Sequence, residues 1–218
     1  MLEICTFSLE DAFTAAKAGA DRIALCRPPL AHGSSPPFEW LFVLKASLNI
    51  PLAAMARPIK SADLNDTQWK QSTRDDAEKL CEMGADRILH GALREDGSLD
   101  FEHCYELNRQ LGQVPAVLHH VFDSAADPKD TLRAAIDAGF AGIMTGMGSH
   151  NMKQLKALQD LARGQIEIIP ARQIRSHNAD QYVQEGFNAL HTTAMLRNGQ
   201  GPSPKEIELL KRAWNSAA

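Results

Sequence analysis

The sequence lacks the features that mark several large classes of protein. Its 218 residues contain no apolar run approaching the roughly 18 residues that a membrane-spanning helix needs. The first residues show no basic region followed by an apolar stretch, so we expect no secretory signal and a cytoplasmic location. The chain has 23 Lys and Arg against 27 Asp and Glu, and so lacks the basic excess typical of nucleic-acid-binding proteins. We therefore expect neither a membrane nor a nucleic acid as a partner.

The cysteines lack the spacing of common metal and redox motifs. There are 4 of them, and no two form a Cys-x-x-Cys pair, which argues against zinc ribbons and thioredoxin-like sites. In a reducing cytoplasm their thiols should be free, although counting alone leaves two disulfides open. A Gly-x-Gly-x-x-Gly motif after the first apolar run is also missing, so a dinucleotide site of that kind has no support.

Short apolar runs recur along the chain, and each is followed by a helical pattern. The runs alternate little between apolar and polar residues, which is typical of strands covered on both faces in a parallel sheet. They lie at residues 2–5, 22–26, 51–56, 86–90, 115–119, 140–145, 165–170 and 188–192. Eight strand-then-helix units without a linker predict a single-domain α/β protein, a (β/α)8 TIM-type barrel spanning residues 1–218. An open doubly wound sheet is the alternative.

In such a barrel the active site lies in the mouth formed by the loops after the strands. The sequence gathers polar residues at these strand ends, which a plain apolar core would not require. In chain order they are Glu3, Cys5, Cys26, Arg57, His90, His119, His120, Asp123, Thr145, His150, Arg172, His191 and Thr193. We therefore expect a functional mouth, with Glu3, His119 and Asp123 as candidate catalytic residues and Arg57, Thr145 and His191 as candidate ligand-binding residues.

The first strand carries two of these residues on one face, because Glu3 and Cys5 are two positions apart. A buried carboxylate is costly without a partner, so a structural role for Glu3 predicts an ion pair with Arg57. Cys5 and Cys26 are small enough to serve as buried apolar residues. If their strands are neighbours, the two sulfurs could instead meet and bind a soft ion such as Cu(I), for which two thiolates suffice in a linear site.

The remaining candidates each have a structural and a functional interpretation. Arg57 could hold an anionic ligand with its planar guanidinium, or only a carboxylate of the barrel. His119 and His120 should point to opposite sides of a strand, so one of them faces the mouth as an acid/base group, a metal ligand or a hydrogen-bonded structural histidine. The same ambiguity applies to His191.

Segments spread along the whole chain resemble the CutC family, which is labelled as copper homeostasis proteins. They appear in the family's order at residues 2–5, 8–10, 19–26, 33–36, 57–58, 96–100, 119–123, 127–128, 144–146 and 191–194. The resemblance implies a (β/α)8 barrel and a cytoplasmic, self-associating protein, such as a homodimer, that handles copper. It also implies Cu(I) ligands at Cys5 and Cys26, which match the proposed family cysteines. No reaction follows from it.

The sequence departs from the family pattern at the mouth, which indicates a divergent member. Ala24 stands where the family has glutamate, and His120 stands where it has arginine. The glycine-rich run after the third strand is reduced to residues 57–63, and the one after the seventh to residues 171–173. Because glycines let backbone N–H groups approach an anion, their loss argues against a phosphate site after the seventh strand. Arg172 would restore charge but not that backbone geometry.

Three functions remain open from the sequence. The first is Cu(I) binding by Cys5 and Cys26 at the mouth, which predicts that their sulfurs meet there. The second is a barrel enzyme of lyase, isomerase or hydrolase type that acts on a small anionic metabolite. Arg57 would then anchor the anion, Glu3 or His119 would transfer protons, and Asp123 would orient a neighbour. The third is a non-catalytic binding barrel with a filled mouth and Glu3 paired only with Arg57.

Overall fold

The computed structural model describes residues 1–28, 33–59, 66–149, 151–196 and 200–217. Two features singled out in the sequence, His150 and residues 60–63, lie outside the described residues. None of the helices seen in these ranges is both long enough and apolar enough to cross a membrane.

Strands and helices alternate along the described chain. The strands are β1 (Leu2–Thr6), β2 (Arg22–Leu25), β3 (Leu52–Met55), β4 (Arg87–His90), β5 (Ala116–Leu118), β6 (Gly142–Thr145), β7 (Glu167–Pro170) and β8 (Leu190–Thr192). The helices are α1 (Leu9–Lys17), α2 (Phe38–Ser47), α3 (Asp66–Glu82), α4 (Phe101–Leu111), α5 (Pro128–Asp137), α6 (Met152–Ala162), α7 (Ala179–Gln184) and α8 (Pro204–Ala217). Short 3-10 helices at His120–Ser124 and Met147–Ser149 follow β5 and β6.

The strands form one parallel sheet that curls into a nearly closed barrel. Their order is β7-β6-β5-β4-β3-β2-β1-β8, and β7 and β8 lie against each other where the ring meets. This arrangement confirms the (β/α)8 barrel predicted from the repeating units. All strands run the same way, so their carboxyl ends share one rim, which is the mouth of the barrel.

Side chains alternate across each strand and so build two apolar cores. Residues such as Ile4 and Leu25 belong to the outer core, between the sheet and the helices. Cys5, Ala24 and Val117 belong to the inner core, inside the ring of strands. This alternation turns both Glu3 and Cys5 into the barrel, as their spacing predicts.

Candidate functional site

A buried cluster of charged side chains lies inside the barrel, on the neighbouring strands β8, β1 and β2. The register of the sheet places Glu3 beside Arg22 on β2 and beside His191 on β8. Arg22 donates a hydrogen bond from Nε to Oε2 of Glu3, and His191 Nδ1 lies 2.5 Å from the other carboxylate oxygen. Glu3 is fully buried, so these two cations supply the partners that its carboxylate needs.

The cluster fixes the charge of its members near neutral pH. Burial alone would raise the pKa of Glu3, but hydrogen bonds and charges from His191 and Arg22 lower it to about 2. Burial alone would lower the pKa of His191, but its hydrogen bonds with Cys5 and Glu3 raise it to about 9. His191 is therefore a buried cation that links the Glu3 carboxylate to the Cys5 thiol.

The prediction that Glu3 pairs with Arg57 is wrong. Glu3 lies deep in the barrel, beside Arg22 and His191 on the neighbouring strands, whereas Arg57 follows β3 at the rim. Sequence reasoning missed Arg22, although a signal was present. Arg22 is two and four residues before Ala24 and Cys26, and so shares their inward face.

The two strand-end cysteines meet at the mouth, as the copper interpretation predicts. Cys5 Sγ lies 3.8 Å from Cys26 Sγ, and both residues are free thiols. They line a cavity of about 220 Å³ together with Met55, Met144 and His191. We call this cavity, defined by those five residues, the thiol pocket.

The thiol of Cys5 is protonated in the metal-free protein. Its hydrogen bond with Cys26, its burial and the charge of Cys26 raise its pKa well above the ordinary value, and His191 offsets only part of this. A metal ion at this place must therefore displace a proton from Cys5.

A second cavity adjoins the thiol pocket, and its lining is basic. It measures about 360 Å³ and is lined by Arg57, His119, His120, Ser124 and Arg172, which define the basic pocket. Met55, His120 and Arg172 line both cavities, so the two share a wall. The mouth is thus open rather than filled by side chains, unlike the expectation for a non-catalytic binding barrel.

Both histidines of the His119-His120 pair line the basic pocket, so the expectation that only one faces the mouth is wrong. That expectation assumed an extended strand through residue 120. The strand β5 ends at Leu118, and a 3-10 helix begins at His120, so the alternation of side chains stops before the pair. His119 caps this helix by accepting a hydrogen bond at Nδ1 from the Val121 N–H, 3.0 Å away.

Asp123 holds two basic residues at the boundary of the cavities. Its Oδ2 lies 3.4 Å from Nδ1 of His120 and 3.6 Å from Nε of Arg172. The Thr145 hydroxyl donates to its Oδ1 at 2.6 Å, and the Gly146 N–H donates to both of its oxygens. Thr145 therefore contacts Asp123 rather than lining either cavity, and Asp123 has the geometry of an orienting group.

The loop after β7 has a left-handed backbone without glycine. Arg172 has φ of 58° and Gln173 has φ of 47°, a region that glycine adopts without strain. The chain therefore keeps left-handed residues in this loop without glycine, and the expected absence of a phosphate site there stays a prediction. A side chain in this region costs about 1–2 kcal/mol per residue.

The donor set of the mouth suits a soft metal better than a hard one. Within the described ranges, no three His, Cys, Asp or Glu side chains form a group able to hold a metal ion. The thiol pocket instead offers two thiols and the thioethers of Met55 and Met144, and such soft sulfur donors select Cu(I).

Comparison with known proteins gives a consistent family assignment. The model of the CutC family matches residues 1–196. A mouse copper homeostasis protein cutC homolog is 32% identical over 206 residues, covering 92% of this chain and 76% of the mouse protein. The human homolog is 31% identical with the same coverage, and a CutC family protein of Salmonella newport is 30% identical, covering 89% of this chain and 79% of its own.

Solved structures agree with the sequence comparison. The crystal structure of the copper homeostasis protein CutC from Streptococcus agalactiae has a TM-score of 0.80 and 26% identity, covering 88% of this chain and 98% of that one. Phosphoribosyl anthranilate isomerase from Thermus thermophilus has a TM-score of 0.67 at 17% identity, covering 100% of this chain and 99% of its own. That second likeness shows the barrel fold alone. The family model and the similar proteins together show that the chain belongs to the CutC family.

Proposed function

We propose that this protein binds Cu(I) at the mouth of the barrel through the thiolates of Cys5 and Cys26. The observation that carries the proposal is the 3.8 Å separation of the two sulfurs at the wall of an open cavity. The similar mouse and human proteins are named copper homeostasis proteins, which supports copper as the metal.

The sulfur separation favours a bent site over the linear one expected from the sequence. Metal–sulfur bonds of about 2.3 Å would place the sulfurs of a linear site about 4.6 Å apart. At 3.8 Å the same bonds enclose an angle of about 110°, which leaves room for a third donor. Met55 and Met144 line the same cavity, so a thioether is the proposed third ligand.

The charge around the thiols also favours a monovalent metal. Cu(I) bound by two thiolates carries one net negative charge, whereas Zn²⁺ bound by two thiolates is neutral. His191 is a cation hydrogen-bonded to Cys5, and Arg57 is close enough to Cys26 for the two charges to attract each other. The cations His191 and Arg57 therefore stabilise an anionic complex. Zn²⁺ is disfavoured further because it takes four ligands in structural sites.

An anaerobic titration of the reduced protein with Cu(I) against a competing chelator tests the proposal. We expect one tightly bound Cu(I) per chain, and a loss of at least 100-fold in affinity for Cys5→Ser/Cys26→Ser. The control is Cys81→Ser, which removes a more exposed thiol on α3 that lines neither cavity. Its affinity should equal that of the wild type.

The pH dependence of the same titration provides a second readout. Because Cys5 is protonated in the metal-free protein, Cu(I) affinity should rise at least tenfold per pH unit between pH 6 and 8.

In the titration itself, a Cu(I) affinity of Cys5→Ser/Cys26→Ser equal to that of the wild type would refute the two-cysteine site.

A further inference from the structure

The basic pocket contains a buried hydrogen-bond donor that has no protein partner. His119 is only 4% exposed, and its Nε2 atom makes no hydrogen bond within the described residues. A buried polar group without a partner costs about 1–3 kcal/mol, so an unpartnered donor on a residue that lines a cavity points to a ligand.

The tautomer of His119 follows from its other nitrogen. Nδ1 accepts the hydrogen bond from the Val121 N–H, so it carries no proton in the neutral ring. Burial and the charge of Arg57 lower the pKa of His119 well below its ordinary value, which keeps the ring neutral. The single proton therefore resides on Nε2, and His119, which lines the pocket, carries a neutral N–H donor without a protein partner.

The rest of the pocket supplies positive charge around this donor. Arg57 and Arg172 line it, and the Ser124 hydroxyl adds a further polar group. Arg172 Nε lies 3.6 Å from the Asp123 carboxylate, the Arg172 side chain is 57% exposed, and its terminal Nη1 and Nη2 atoms make no hydrogen bond within the described ranges. The planar fork of these two atoms matches a carboxylate or a phosphate.

The backbone accepts strain to place Arg172 at this position. Its φ of 58° lies in the left-handed region that favours glycine. The preceding loop makes room for it, since a Cβ atom at Gly146 would lie 2.6 Å from Cδ of Arg172. The Arg172 side chain therefore lies against Gly146 in the loop after β6, where it lines the basic pocket.

We propose that the basic pocket binds the oxyanion of a small molecule that carries a carboxylate or a phosphate. His119 donates a hydrogen bond from Nε2, and the guanidinium groups of Arg172 and Arg57 neutralise the charge. This site lies beside the thiol pocket and uses none of its sulfur atoms, so it is a second binding site and does not depend on Cu(I).

Two variants of His119 separate the proposed donor from the structural cap. In His119→Asn the side-chain oxygen can still accept from the Val121 N–H, but no donor reaches the pocket. In His119→Gln the longer amide can place an N–H near the position of Nε2. We expect His119→Asn to weaken anion binding at least tenfold and His119→Gln to retain more of it, with both proteins folded by circular dichroism.

The experiment uses the reduced, copper-free protein, with inorganic phosphate and malonate as separate probes in calorimetric titrations. Saturable 1:1 binding of either probe, with a shift of the His119 Nε2 resonance in 15N NMR spectra, is the expected result; the tighter probe identifies the ligand class. Binding should persist in Cys5→Ser/Cys26→Ser, which separates this site from the copper site. Absence of saturation by both probes at 10 mM, or equal affinity of His119→Asn and the wild type, would overturn the proposal.

Discussion

The Glu3 cluster and the basic pocket bury ionisable groups in opposite ways. In the cluster, Glu3 contacts two cations, Arg22 and His191, so its charge is compensated within the protein. In the basic pocket, His119 has a buried nitrogen without a protein partner, and Arg172 adopts a strained backbone beside it. The cluster therefore has the properties of an internal support, and the pocket those of the anion site proposed above.

The thiol pocket lies between these two regions and depends on both. His191 belongs to the Glu3 cluster and is hydrogen-bonded to Cys5, so the cluster sets the charge beside the thiols. Arg172 and His120 line the basic pocket as well as the thiol pocket. A change in the cluster should thus alter stability first, whereas a change in the basic pocket should alter binding first.

The largest effect is expected from breaking the Glu3 cluster. Glu3→Ala leaves Arg22 and His191 as buried cations without their carboxylate, and should lower the free energy of unfolding by about 3–5 kcal/mol. The matched control is Glu167→Ala, which breaks the 3.1 Å pair with Arg87 at the same face of the sheet. Because that pair is about one-fifth exposed, its loss should cost about 1 kcal/mol. Urea unfolding of both variants at pH 7 measures the two free energies of unfolding. Equal decreases in the two variants would contradict the prediction that the buried Glu3 cluster stabilises the fold more than the partly exposed pair.

An effect of intermediate size is expected from the titration of His191. Its pKa is about 9 in the folded protein, raised from 6.5, so its contribution is complete below about pH 6.5 and is lost as the pH rises through 9. The unfolding free energy should fall by up to about 3 kcal/mol over this window.

The variant His191→Gln should lack this part of the pH dependence. The buried thiols lower stability above about pH 8.5 in both proteins, because their pKa values are raised on folding. Urea unfolding of the two proteins at pH 6 and pH 9.5 gives the change in the free energy of unfolding for each. The difference between the two changes is the contribution of His191. Parallel curves for the two proteins would show that His191 is not a buried cation.

The smallest effect is expected at the strained loop of the basic pocket. Arg172→Gly relieves a left-handed backbone at φ of 58° and should raise the free energy of unfolding by about 0.5–1 kcal/mol while weakening phosphate binding. The control is Arg163→Gly, at φ of 49° at the end of α6, which should give a similar gain and no change in binding. Thermal unfolding with and without phosphate measures both quantities. A loss of stability in Arg172→Gly alone would show that the arginine is held for structure.

Much of the architecture could be predicted because it depends on local sequence patterns. Eight apolar runs of strand length, each followed by a helical pattern, led to the (β/α)8 barrel that the sheet order confirms. The same strand parity placed Glu3 and Cys5 inside the barrel. Neighbouring parallel strands end at one rim, so the sequence allowed Cys5 and Cys26 to meet if their strands were neighbours, and their sulfurs do lie 3.8 Å apart.

The partners of the buried groups could not be read from local patterns. Glu3 contacts Arg22 and His191 rather than Arg57, because strand register and not strand order selects the neighbours of a buried side chain. His119 and His120 both reach the mouth because β5 ends at Leu118, before the pair, so the alternation of a strand does not apply to them.

The sequence by itself therefore determined the fold, the family and the common face of Glu3 and Cys5, since each depends on periodicity or on matched segments. Only the tertiary structure decided that His191 is a buried cation, that His119 keeps an unpartnered N–H donor, and that Arg172 occupies a left-handed turn. These properties arise from distances between residues far apart in the chain, which register, loop geometry and burial fix together and which no local pattern encodes.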